Sequence, residues 1–166
     1  PAPSRAGPRA ARRAAVLGPA PCGPRGGSLR AMPAIELGTV ELGGPRAAII
    51  VPLTGVDDTQ LLAEADEAAA SRADVVEWRV DLLDDPAPAR AVRLAPQVSA
   101  HADRPLLATV RTVVEGGGFD SCFVEYGRLV GALAGAEGVG LVDVECARPG
   151  ADELIGAVHA AGRLVV

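Results

Sequence analysis

From residue 47 to the end of the chain one pattern recurs: a short apolar run, a turn, and an Ala/Leu-rich stretch with helical spacing. Ala47 to Leu53 is a continuous apolar run suited to a strand buried on both faces. Asp57 and Asp58 then open a helix reaching about Ser71, with acids in its first turn where the helix dipole favours them. Asp74 to Asp81 reads as the second strand and about Ala87 to Ala100 as the second helix. Pro105 to Arg111 and about Ser121 to Ala134 form the third unit, and Val139 to Glu145 and about Ala151 to Ala161 the fourth. Arg163 to Val166 opens a fifth strand. Ahead of the series, Ile35 to Gly44 alternates apolar and polar residues around glycines, the mark of a short hairpin. Strands alternating with helices at this spacing predict βαβ units and a parallel sheet, an α/β fold.

Such a sheet is either open and doubly wound or part of an eight-fold barrel. The first βα turn, Pro52 to Asp57, carries neither GxGxxG nor GxxxxGK[ST], which disfavours a nucleotide-binding sheet. Polar residues collect instead where barrel chemistry occurs, at the carboxyl ends of strands: Glu77, Arg79, Arg111 and Glu145.

Side chains alternate along a strand, so Glu77, Arg79 and Asp81 share one face and Trp78 and Val80 the other. The polar set is expected to face the lumen and the apolar set the helices. Glu77 and Arg79, two residues apart, can form a desolvated pair, and Arg keeps its charge while presenting a fork of donors. A buried ion pair that only fixes strand register is the rival explanation. Arg111 ends the third strand, with Thr109 on its own face. Two strand-end arginines repel unless anions or carboxylates lie between them. Glu115, four residues on, suits a role holding a neighbouring group, or is simply a solvated loop glutamate. Gly116 to Gly118 fits a lid hinge or an ordinary linker. Asp143 and Glu145 are expected to share a face, adding acidity or pairing with Arg79 or Arg111. Cys146 reads as a small core residue, and His101 and His159, within helices, as surface histidines.

Composition narrows the partners. All 16 basic residues are arginine, and the chain has no lysine. Residues 1 to 31 hold six arginines and no acid, leaving 10 arginines against 21 acids in the remainder. An acidic body argues against nucleic acid. No run approaches the ~18 apolar residues of a membrane span. Cys22, Cys122 and Cys146 are widely spaced, without a CxxC pair, and fit a reducing compartment. Residues 1 to 31, rich in Ala, Pro, Arg and Gly, are expected to form a disordered tail ahead of a domain spanning 32 to 166. The segment reads as sequence upstream of a start at Met32, with a transit peptide as the alternative.

Four stretches together resemble the type I 3-dehydroquinate dehydratases: Ile49 to Leu53, Ala73 to Asp81 with its EWRVD, Pro105 to Thr112 followed by Glu115-Gly116-Gly117, and Leu141 to Glu145. The resemblance implies a (β/α)8 barrel, of which this chain carries the N-terminal half: about four βα units and the start of strand five, preceded by the hairpin. It also implies a lyase of the shikimate pathway that removes water from 3-dehydroquinate, giving 3-dehydroshikimate. A lysine imine serves as electron sink and a histidine as general base and acid, with no metal or organic cofactor. By the same resemblance Glu77, Trp78, Arg79 and Arg111 bind substrate, Glu115 supports the catalytic histidine, and the full-length protein is a cytoplasmic homodimer.

The family's histidine motif follows strand five and its lysine lies on the next strand, so both are expected beyond Val166, leaving no catalytic residue in this chain. Neither His101 nor His159 matches the histidine motif. A full barrel takes about 250 residues, whereas positions 32 to 166 supply 135. The chain alone is therefore expected to be inactive and poorly soluble or self-associated, with exposed sheet edges. Two other readings stand beside this one: a non-catalytic binding module or decayed gene product, and the dehydratase segment of a fusion with shikimate dehydrogenase.

Overall fold

The computed structural model describes residues 34–166. The expected disordered tail, the start at Met32 and Cys22 lie outside the described residues.

A hairpin of β1 (Ile35–Leu37) and β2 (Val40–Leu42) precedes five parallel strands: β3 (Ile50–Leu53), β4 (Val75–Arg79), β5 (Leu106–Thr109), β6 (Val139–Val142) and β7 (Leu164–Val165). Helices α1 (Asp58–Ala69), α2 (Pro88–Ala102), α3 (Phe123–Gly135) and α4 (Ala151–Ala160) join them. The strands lie side by side in sequence order, β3-β4-β5-β6-β7. A doubly wound sheet reverses its order at a switch point. Here it never reverses, as in the wall of a (β/α)8 barrel.

Each helix starts for local reasons. Asp57 caps α1, its Oδ1 accepting from the Gln60 amide at 2.9 Å, and Pro88 opens α2 with its fixed φ. Their apolar faces pack on one side of the sheet: Leu61 and Ala65, Leu94 and Val98, Leu129 and Leu133, Leu154 and Val158 meet Val76, Trp78, Leu106, Ala108 and Val142 in one continuous core. The inner face holds a smaller cluster of Val75, Leu107 and Leu141, covered at the amino ends of the strands by Leu37, Val40 and Leu42 of the hairpin and flanked by Leu164.

Two expectations change. The first strand is not buried on both faces: Ile49 and Ile50 are 46% and 48% exposed, because β3 is an edge strand paired only with β4 among the described residues. The second strand ends at Arg79, and Val80–Leu82 forms a single 3-10 turn. That turn carries Asp81 out of the strand and back beneath the arginine.

Candidate functional site

The polar strand-end residues gather on the inner face beyond the apolar cluster. Nearest the core, the Thr109 hydroxyl donates to Glu77 Oε1 at 2.8 Å. Thr109 is fully buried and β5 pairs it with Arg79, so Glu77 and Arg79 both stand over the β4–β5 seam. Arg79 forms a bidentate pair with Asp81, Nε to Oδ1 at 2.9 Å and Nη2 to Oδ2 at 2.8 Å. The arginine therefore uses Asp81 and not Glu77, because the 3-10 turn presents both Asp81 oxygens to its fork.

Arg111 lies one strand over. Its Nη1 donates to Glu115, and its Nη2 donates to Asp143 from the end of β6. Carboxylates thus separate the two arginines, which offsets the repulsion expected of them. Burial works against the Arg111 charge, but Asp143, Glu115 and Glu145 outweigh it and raise its pKa. For Asp143 burial wins: it holds the carboxyl above the usual range although Arg111 pulls it down, with Glu77, Glu115 and Glu145 adding like charge. Asp81 goes the other way. Burial would raise it, but Arg79 and the Gly118 and Arg111 backbone amides hold it below the usual range.

Within the Gly116 to Gly118 run, Gly117 and Gly118 lie tight against neighbouring backbone, while Gly116 faces open space in the left-handed region. A Cβ on Gly117 would come within 2.1 Å of the Arg111 carbonyl oxygen, and one on Gly118 within 2.6 Å of that of Asp81. The Gly118 amide also donates to Asp81 Oδ2 at 2.9 Å. Close approach, and not hinge freedom, requires glycine at these two positions.

Several candidates sit elsewhere. The Trp78 side chain, named with the substrate-binding set, is fully buried in the helix-side core, so it does not reach the cleft. Strand alternation sends it there. Cys146 is exposed and is not a core residue, because the chain has left β6 before reaching it. Glu145 does not join Asp143 in the cleft: only 2% exposed, it turns to Thr112 and Arg148. His101 lies 2.9 Å from Asp66 between α2 and α1, and His159 is exposed on α4. Among the described residues no group of three or more His, Cys, Asp or Glu is placed to hold a metal ion, and no helix is long and apolar enough to cross a membrane.

Sequence reasoning passed over Thr112, Tyr126 and Arg148, which surround Glu145. Tyr126 is the chain's only tyrosine, but its place on α3 marks it simply as helix. Arg148 lies in a loop with no periodic signal.

The arrangement, two arginines and four carboxylates opening from the carboxyl ends of three parallel strands, can grip a small molecule carrying both an anionic group and hydroxyls. Known proteins with this order of elements agree in kind. The 3-dehydroquinate dehydratase of Lactiplantibacillus plantarum is 36% identical over 115 residues, covering 68% of this chain and 46% of that protein. The Geobacillus kaustophilus protein of the same name is 32% identical over 123 residues, covering 69% and 46%. The chain thus spans about half the length of the curated relatives it matches. The crystal structure of the G. kaustophilus dehydratase aligns with a TM-score of 0.75 at 28% identity, covering 81% of this chain and 54% of that one. A Clostridium difficile type I 3-dehydroquinate dehydratase crystallised with covalently modified comenic acid gives 0.76 at 27%, covering 80% and 54%. The sequence profile of the family described as type I 3-dehydroquinase matches residues 49–164. By that match, across most of its length, the chain belongs to the type I 3-dehydroquinase family.

Proposed function

We propose that the cleft at the ends of β4, β5 and β6 is the substrate-recognition part of a 3-dehydroquinate dehydratase site, and that this chain alone does not carry out the dehydration. The observation that supports it most is Arg111: a guanidinium at a strand end, open enough to meet solvent (28% side-chain exposure) and held by ionic partners from its own loop and from β6. In this reading Arg79 and Arg111 hold oxygens of the substrate, with Glu77 accepting from a hydroxyl. Glu115 would exchange Arg111 for the proton-transferring histidine of the complete site. Turnover by the family's route needs an imine-forming lysine, and this chain has none.

The test is direct. Titrating the chain with 3-dehydroquinate should perturb the Arg79 and Arg111 side-chain resonances, and Arg111→Ala should weaken that binding by roughly tenfold or more, the size of a lost charged hydrogen bond. Borohydride added to the mixture should leave the protein mass unchanged. A stable adduct would overturn the recognition-only reading; identical titration curves for Arg111→Ala and the parent would overturn the site. A binding module that never turns substrate over is the rival reading, and steady dehydration by a longer form of the protein excludes it.

Two further parts of the reading rest on surface features. Half-exposed Ile49 and Ile50 on edge strand β3 support self-association of this chain when made alone, whereas a homodimer of the full-length protein is carried by the family resemblance. The free thiols of Cys122 and Cys146 support a reducing, cytoplasmic setting.

A further inference from the structure

We propose that Glu145 is a positioning residue: with Arg148 and Tyr126 behind it, it fixes the loop that carries Arg111 and Glu115. The Glu145 carboxylate takes the Thr112 amide at 2.8 Å with one oxygen and the Thr112 hydroxyl at 2.9 Å with the other. Arg148 Nη1 donates to the same second oxygen at 3.2 Å and reaches the Thr112 hydroxyl at 3.4 Å. The Arg148 guanidinium stacks 4.7 Å from the centre of the Tyr126 ring, and the Tyr126 hydroxyl accepts the Glu145 amide at 3.0 Å. Thr112, Tyr126 and Glu145 are each no more than 2% exposed.

A buried ion pair is commonly no more stabilising than apolar residues of the same volume. This one is not optimised for stability, since Arg148 Nε is buried without a partner. What the pair does achieve is geometry. The loop from Arg111 to Phe119 closes on itself through Phe119 N to Arg111 O at 3.1 Å and Gly117 N to Thr112 O at 2.8 Å. Besides the Arg111 pair with Asp143, its backbone is held at Thr112 by Glu145, just past β6, and at Gly118 by Asp81 of the 3-10 turn after β4. The Thr112 anchor immediately follows Arg111, so it sets where that guanidinium stands relative to Asp143. Glu145 hydrogen-bonds to neither arginine of the cleft: its charge favours the Arg111 guanidinium through space, and it positions the loop through the Thr112 backbone.

The inference rests on the recognition reading for its ligand arm and not for its exchange arm. Amide hydrogen exchange on the full chain should show Thr112, Glu115 and Gly117 speeding up roughly ten- to a hundredfold in Glu145→Ala, as for a lost bond to a charged acceptor, with Ala65 of α1 and Leu94 of α2 unchanged. Glu145→Gln, which keeps an acceptor for the Thr112 amide, should restore most of the protection. Should Glu145→Ala fail to fold, Thr112→Val removes only the hydroxyl and should give a smaller acceleration in the same loop. In whichever of these variants folds, 3-dehydroquinate should bind more weakly in step with loop exchange. Unchanged loop exchange, or a rise shared equally by α1 and α2, overturns the proposal and leaves Glu145 a general stabiliser. Intact 3-dehydroquinate affinity in a variant with a loosened loop overturns it too. Selective loosening in a chain whose parent binds no 3-dehydroquinate supports the anchor and sinks the substrate reading instead.

Discussion

On the helix-facing side of the sheet every strand feeds one continuous apolar core, whereas the opposite side changes character along its length. There Val75, Leu107 and Leu141 lie under the hairpin, and within a few residues the same strands carry Glu77, Thr109 and Asp143, then Arg79 and Arg111. Both faces are served by the same strands, with alternate residues going to each. The difference teaches where freedom lies: the helix face is fixed by burial, so the inner face can hold charged groups that give little stability of their own.

The largest test of this contrast is truncation on each face. Leu94→Ala, opposite a fully packed helix layer, should cost about 3–5 kcal/mol, and Leu107→Ala about 2 kcal/mol, since the three-residue hairpin strands above it can settle into the gap. Equal losses in urea unfolding would show that the inner cluster is as tightly packed as the outer.

A smaller effect separates two acids of the cleft by sign. Asp81 has its pKa lowered on folding, so its contribution is present above the unfolded value of about 3.9 and is lost as pH falls through the folded value. Asp143 has its pKa raised, so the folded state holds the extra proton and stability falls as pH rises from about 3.9 through the folded value. Asp81→Asn should flatten the acid limb of the stability curve, and Asp143→Asn should remove the decline above it. Parallel curves for the parent and Asp143→Asn would show that its pair with Arg111 outweighs burial.

The smallest change is expected on the outer surface. His101→Gln loosens only the contact with Asp66 between α1 and α2 and should shift stability by less than about 0.5 kcal/mol. A larger loss would mean that this exposed pair helps to lock the helix layer.

Element order was legible because each strand and helix announces itself locally, by apolar runs, Ala/Leu-rich helical spacing, and acids at Asp57 and Asp58. The face occupied by Trp78 followed from alternation, although the family resemblance had placed the residue with the binding set. Cys146 and Glu145 were misread for a shared reason: β6 stops at Val142, and alternation no longer holds once the ladder ends. Gly117 and Gly118 fitted a hinge or a linker because sequence shows composition and not what lies against it. The carbonyls of Arg111 and Asp81 occupy that space.

The sequence by itself determined the parallel α/β wall, the hairpin ahead of it, and the set of charged residues at the strand ends, because period and spacing are local properties of a chain. Tertiary structure alone decided the pairing of those charges. Arg79 takes Asp81, Arg111 takes Glu115 and Asp143, and Glu145 withdraws to anchor Thr112. Those partners, apart from Asp81 and Glu115, stand about thirty residues from the groups they meet, and the choice among them depends on burial and on where each strand gives way to its loop.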